Sequence, residues 1–129
     1  MTKSTGTFEV KITPQTDDWA TAAGLGRMTI DKQFKGDLEA ASKGEMLAAG
    51  SPVKGSAGYV AMETVTGSLG GRKGSFVLQH SATMNRSVPS LSVTVVPDSG
   101  TGELLGLKGS MKIIIEGKQH FYEFEYELV

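Results

Sequence analysis

Cysteine is absent from all 129 residues of the sequence. This absence excludes disulfide bonds, thiolate nucleophiles and cysteine-ligated metals. Histidine is also scarce, since only His80 and His120 occur and they lie far apart in the chain. A histidine-rich metal site is therefore not expected. We predict a protein with no metal and no cofactor.

Neither sign of charge dominates, because Lys and Arg total 13 and Asp and Glu total 14. Bulk electrostatics therefore give no reason to expect a nucleic-acid partner. Long apolar runs are missing too, and the first residues, MTKSTGTFEVKI, contain no apolar segment typical of a signal peptide. We expect no membrane partner and a cytoplasmic location.

Apolar and polar residues alternate in nearly every segment, which is the period of a β-strand. The pattern is clearest in HFYEFEYELV near the end of the chain, where Glu123, Glu125 and Glu127 are predicted to face water. The opposite face of each segment is predicted to point inward. Twelve residues share this expectation: Phe8, Val10, Ile30, Phe34, Tyr59, Phe76, Leu78, Val93, Ile113, Tyr122, Phe124 and Tyr126.

Turn-forming residues separate about eight such segments, for example at Gly70-Gly71 and at Glu116-Gly117-Lys118. The weakest strand pattern covers residues 38–48. Residues 17–25, DDWATAAGL, are predicted to form a loop or a short helical turn, with Trp19 placed to plug an open end.

An all-β chain with hairpin connections must hide its sheet edges, and closure into a barrel hides them completely. The sequence therefore predicts one domain, residues 1–129, folded as a closed antiparallel barrel of about eight strands. A two-sheet sandwich is the alternative. An eight-stranded barrel holds either packed side chains or one small ligand.

Four glycines, Gly100, Gly102, Gly106 and Gly109, fall within ten residues of DSGTGELLGLKGSMKIII. A dinucleotide fingerprint needs G-x-G-x-x-G between a strand and a helix. Here the spacing differs, and the strand-like run SMKIII follows. GRKGS, residues 71–75, has the wrong order for a Walker motif. We therefore expect glycines that bend or kink a strand and do not hold phosphate.

SGTGELLGLKG resembles a glycine-rich stretch of allene oxide cyclases and, more distantly, of dirigent proteins. Together with GTFEV, FKGDLEA, GYVAMETVTGSLGGRKGSFVLQHSATM and HFYEFEYEL, it resembles a bacterial family of unknown function with an allene-oxide-cyclase-like barrel. The resemblance implies a calycin-like barrel and allows a homo-oligomer. It implies no activity, and no cyclase site residue carries over.

Glu63 and His80 share a mixed apolar face on two neighbouring strands. A two-residue turn at Gly70-Gly71 pairs Ala61 with His80 and Glu63 with Leu78, whereas a four-residue loop pairs Glu63 with His80 directly. Either register puts both side chains within reach of each other. They are candidates for an acid–base pair. The alternative is a buried pair that satisfies itself for stability.

Three functions stay open. The first is a module that binds a small apolar or amphipathic molecule inside the barrel. The second is an isomerase or cyclase-type enzyme that uses Glu63 and His80. The third is a filled barrel that acts structurally or as an oligomer. Six residues are candidates for ligand contact on the inward face: Tyr59, Phe76, Leu78, His120, Tyr122 and Tyr126.

Overall fold

The computed structural model describes residues 1–16 and 18–128, which form eight antiparallel strands, one short α-helix and one turn of 3₁₀-helix. The strands are β1 (Thr2–Gln15), β2 (Gly26–Gly36), β3 (Leu38–Gly50), β4 (Ala57–Leu69), β5 (Arg72–Asn85), β6 (Val88–Val95), β7 (Lys108–Glu116) and β8 (Gln119–Glu127). The α-helix, α1, spans Asp18–Ala22, and the 3₁₀ turn spans Gly102–Leu104.

Each strand pairs with the next along the chain, and β1 pairs with β8 to close the barrel. The predicted closed barrel is confirmed, and the two-sheet alternative is wrong. The hairpin at Gly70-Gly71 has the two-residue register, with Ala61 opposite His80 and Glu63 opposite Leu78. The last hairpin pairs Ile113 with Tyr122.

The alternating pattern predicts the inward faces correctly. Nine of the twelve side chains predicted to point inward are buried, and Val10, Tyr59 and Ile113 are half-buried. Glu125 and Glu127 are exposed, and Glu123 forms an ion pair with Lys3 at 3.2 Å on the outer face.

One end of the barrel, called the closed end here, is filled by side chains. Leu38 and Leu69 are buried there, and so are Leu104 and Leu107 from the connection between β6 and β7. Their burial removes apolar area from water and explains why this loop packs against the barrel. The closed end therefore holds most of the core.

The glycine-rich segment lies mainly in this loop, which corrects the prediction of a bent strand. Gly102 begins the 3₁₀ turn and Gly106 follows it, with φ of 60° and 81°, a region that favours glycine. Gly109 alone of the four glycines lies in a strand, β7. The glycines let the loop reverse direction and bring Leu104 and Leu107 onto the core.

The connection between β1 and β2 contains α1, so the predicted helical turn is confirmed for residues 18–22; Asp17 lies outside the described residues. Trp19 is 88% exposed and does not plug the barrel, contrary to the expectation. Ala20, the next residue of α1, is buried instead, and neighbouring residues of a helix point in different directions, so Trp19 is left in solvent.

At the opposite end, called the open end here, the wall is uneven. The ladder between β1 and β8 ends at Phe8 and His120, so residues 9–15 of β1 extend past β8. Inward-facing apolar side chains in this region keep substantial exposure, including Ile12 at 47% and Leu91 at 42%. The two ends of the barrel thus differ sharply in how well they are filled.

Candidate functional site

Three charged or ionisable side chains meet inside the barrel. Glu63 on β4 is fully buried, and its Oε2 atom lies 2.8 Å from Nζ of Lys32 on β2 and 2.7 Å from Nε2 of His80 on β5. An ionised carboxylate only accepts hydrogen bonds, so the Nε2–H of His80 donates to it. Lys32, Glu63 and His80 are called the interior triad below.

Small residues on β3 allow Lys32 and Glu63 to meet across that strand. Ser42 stands opposite Lys32, and Gly44 stands opposite Glu63. A Cβ atom at Gly44 would lie 2.7 Å from Cα of Glu63 and 2.1 Å from the carbonyl oxygen of Met62, closer than side chains pack. Glycine is therefore required opposite the glutamate, because any side chain there would collide with the backbone of β4.

Aromatic rings cover the ammonium group of Lys32. Its Nζ atom lies 4.9 Å from the ring centroid of Phe8 and 5.7 Å from that of Phe34. Both distances allow attraction between the cation and the ring faces. The cation is thus held by one carboxylate and two rings, away from bulk water.

Opposing effects set the charge of Glu63. Burial alone raises the pKa of a carboxyl group, but the hydrogen bond from His80 and the positive charge of Lys32 outweigh it, and the pKa of Glu63 lies below its usual value. The pKa of Tyr59 is raised, first by burial and then by the charge of Glu63. The negative charge of Glu63 therefore acts electrostatically on the Tyr59 hydroxyl.

Two buried oxygen atoms near the triad lack a hydrogen-bond partner within residues 1–16 and 18–128. They are Oε1 of Glu63 and Oγ of Ser42. Buried polar atoms are normally paired with protein or water, and leaving one unpaired costs about 1–3 kcal/mol. The triad thus satisfies only one of the two carboxylate oxygens.

A cavity of about 270 Å³ lies at the open end of the barrel. It is called the mouth cavity here. Its inward-facing lining is apolar apart from one phenol hydroxyl and comes from β3 to β6: Ala48, Ala57, Tyr59, Ala82, Met84, Pro89 and Leu91. Ala48, Tyr59, Ala82 and Leu91 stand opposite one another across four strands. The next cross-strand row toward the closed end contains Met46, Ala61 and His80.

A family model described as "Protein of unknown function (DUF3224)" matches residues 4–126, nearly the whole barrel. The chain belongs to the DUF3224 family. A crystal structure of a DUF3224 protein of unknown function from Shewanella oneidensis MR-1 is similar over its whole length. It shares 56% sequence identity, covers 100% of this chain and 98% of that chain, and has a TM-score of 0.93. No curated protein matches the chain.

The DUF3224 barrel brings the predicted pair Glu63 and His80 into hydrogen-bond contact, as expected from either register. Their catalytic role stays a prediction. Lys32, the third member, was missed as a partner, although its signal is visible in the sequence. It is a lysine between Ile30 and Phe34 on an otherwise apolar strand face.

The six candidate ligand residues are divided between different regions of the DUF3224 barrel. Tyr59 lines the mouth cavity. His120 packs against Phe8, with ring centroids 5.1 Å apart, and lines a separate groove with Lys35 and Lys118. The remaining four are buried in the core: Phe76, Leu78, Tyr122 and Tyr126.

Tyr122 has a structural contact that explains its burial. Its Oη atom accepts a hydrogen bond from the backbone N–H of Leu38 at 2.9 Å and donates one to the carbonyl oxygen of Lys35 at 3.1 Å. These bonds tie β8 to the connection between β2 and β3. Ligand binding by the four buried residues stays a prediction.

Membrane-spanning helices and metal-binding clusters are both missing from the described residues. None of the helices within residues 1–16 and 18–128 has the length and apolar character needed to cross a membrane. The same part of the chain contains no group of three or more His, Cys, Asp and Glu residues that could hold a metal ion.

Proposed function

We propose that this DUF3224 barrel binds a small apolar or amphipathic molecule in the mouth cavity. One observation carries the proposal: inward-facing apolar side chains fill the closed end but leave space between them at the open end. A ligand that covers apolar surface in a concavity removes that surface from water, and this lowers the free energy of the complex. The nearest member of the interior triad, His80, lies one cross-strand row deeper than Tyr59 and Ala82.

The size of the mouth cavity limits the ligand. Its volume of about 270 Å³ lies just below the usual range of about 300–1,000 Å³ for ligand pockets. A single ring with a short alkyl chain, or a short aliphatic chain, suits this volume. Tyr59 offers both a ring face and a hydroxyl at the cavity wall.

The enzyme alternative retains its two residues but loses chemical support. A general base works best when its pKa is close to the working pH. Lys32 and His80 together lower the pKa of Glu63, which makes the carboxylate a weaker base. The observed geometry therefore favours binding over an isomerase or cyclase reaction. The third alternative, a filled barrel, lacks support because the open end is not filled.

Isothermal titration calorimetry with para-propylphenol tests the binding proposal. We expect saturable binding to the wild type. Ala82→Phe places a ring in the mouth cavity and is expected to weaken binding at least tenfold. Ala49→Phe is the matched control. Ala49, on β3, lies at the same end of the barrel as Ala82, but it faces outward and is exposed.

Thermal melts of both variants check that each one folds. Binding that is lost in Ala82→Phe and kept in Ala49→Phe supports the mouth cavity as the site. Equal binding to both variants would place the ligand elsewhere, and no heat with the wild type would overturn the proposal for this class of ligand.

A further inference from the structure

We infer that the ligand of the mouth cavity is a small organic anion whose charged group lies at the rim, beside Lys54 and Arg86. This inference rests on the proposed binding function and names the chemistry of the ligand's polar end. It starts from two turns at the open end of the barrel, called the rim turns here. They are the β3–β4 connection, residues 51–56, and the β5–β6 connection, Arg86 and Ser87.

Both rim turns adjoin the lining of the mouth cavity. Ala57, which lines the cavity, is the first residue of β4 after the β3–β4 turn. Met84 and Pro89, which also line it, pair with each other across the hairpin that the β5–β6 turn closes. A ligand that extends from the cavity toward solvent on this side therefore meets the rim turns.

Hydrogen bonds join the two rim turns. The backbone N–H of Ser87 donates to the carbonyl oxygen of Gly55 at 2.9 Å. The backbone N–H of Arg86 donates to Oγ of Ser56, also at 2.9 Å. Because Lys54 immediately precedes Gly55 in the chain, the backbones of the two cationic residues are held close together. One anionic group can thus be attracted by both side chains.

The strands beside the rim turns carry no exposed acidic residue. Between residues 46 and 97 the sequence contains a single acid, Glu63, which is buried in the interior triad. Lys54 and Arg86 are both exposed, and neither forms an ion pair within residues 1–16 and 18–128. Their positive charges are therefore available to an anion.

The backbone of the β5–β6 turn favours glycine or asparagine, yet the chain has Arg86 and Ser87 there. Their φ angles are 48° and 72°, in the left-handed region where other side chains are strained. Strained residues of this kind concentrate at functional sites. A turn that only joined two strands would be more stable with glycine at these positions. We therefore assign a binding role to the Arg86 side chain.

The cost of burying a charge decides which end of the ligand points outward. A carboxylate or sulfate at the rim keeps its contact with water and lies beside two cations. Deeper in the barrel it would approach the carboxylate of Glu63 and would lose its hydration. The inward-facing cavity lining is apolar apart from the Tyr59 hydroxyl. The ligand therefore has its ring or short chain inside and its anionic group outside.

The test compares para-propylbenzoate with para-propylbenzamide by isothermal titration calorimetry. The two probes have nearly the same shape, but only the benzoate is charged. Attraction between exposed opposite charges contributes up to about a fivefold gain in affinity for each cation. We expect the wild type to prefer the benzoate by about fivefold, and we expect added salt to reduce the preference. Arg86→Gln and Lys54→Gln should each reduce it roughly twofold to threefold.

Arg72→Gln is the matched control, because Arg72 is an exposed arginine at the opposite end of β5, where it pairs with Leu69 of the closed end. It removes the same charge from the chain and should keep the full preference. Thermal melts check that each variant folds, and the Lys54 and Arg86 variants test the site independently.

Equal affinity of the wild type for both probes would refute the anion inference and leave the binding proposal standing. A preference that is unchanged in both rim variants, or reduced equally in Arg72→Gln, would also refute it. If neither probe binds but para-propylphenol does, the inference alone fails. If none of the three compounds binds, both proposals fail.

Discussion

Glu63→Gln replaces one carboxylate oxygen by an amide nitrogen and keeps the shape of the side chain. In the folded protein this change leaves the Lys32 ammonium, whose side chain is only 6% exposed, without its counter-charge. The amide also accepts weaker hydrogen bonds from Lys32 and His80 than the carboxylate does. We therefore expect a substantial loss of stability even though no volume is removed from the core.

The size of the effect follows from the burial of the pair. Removing one partner of a buried ion pair costs about 3–5 kcal/mol. For a chain of 129 residues, with an unfolding entropy near 2.1 cal/mol/K per residue, this loss corresponds to a melting temperature lower by about 11–18 °C. Differential scanning calorimetry on the wild type and the variant measures the shift directly.

Two further variants isolate the ion pair. The double variant Lys32→Met/Glu63→Gln should lose less stability than the two single variants lose together. The difference, the coupling free energy of the pair, should be about 3 kcal/mol. Lys43→Met breaks a pair between β3 and Asp31 of β2, the strand that also carries Lys32, but Lys43 is 84% exposed. We expect this control to lower stability by less than about 1 kcal/mol. A Glu63→Gln protein as stable as Lys43→Met would refute the argument.

Three other predictions concern pH, the glycine loop and Tyr122. Because the pKa of Glu63 is lowered in the folded state, its contribution is complete above the ordinary value of 4.5 and is lost as pH falls through the folded pKa. Denaturant titrations should therefore show the gap between wild type and Glu63→Gln narrowing below that pH, and a constant gap contradicts this. Gly106→Val forces a β-branched residue to a φ of 81° and should cost about 1–3 kcal/mol by thermal melt; an unchanged midpoint refutes it. Tyr122→Phe leaves the Leu38 N–H unpaired and should cost about 1–3 kcal/mol in urea unfolding, so a neutral result would show that these bonds do not matter.

The strand pattern and the hairpin turns predicted most of the barrel, because burial on one face imposes a period of two wherever large apolar residues are used. The pattern is weak in β3, whose inward face carries small residues such as Ser42 and Gly44. Gly44 has no room for a side chain, because a Cβ atom there would lie 2.8 Å from Cβ of Glu63. The pattern is therefore weak on the strand that lies between Lys32 and Glu63.

The candidate site was predicted only in part. Glu63 and His80 lie on strands joined by one short turn, so local register placed them together. Lys32 lies 31 residues before Glu63 with a whole strand between them, and no turn rule connects the two. The glycine loop was misjudged for a related reason, since the burial of Leu104 and Leu107 depends on the closed barrel beneath them.

The most direct test of the central claim is a crystal structure of the wild-type protein soaked with para-propylphenol. We predict ring density in the mouth cavity between Tyr59, Ala82 and Leu91. Ring density on the outer wall, or a mouth cavity without ligand at saturating probe, would contradict the account.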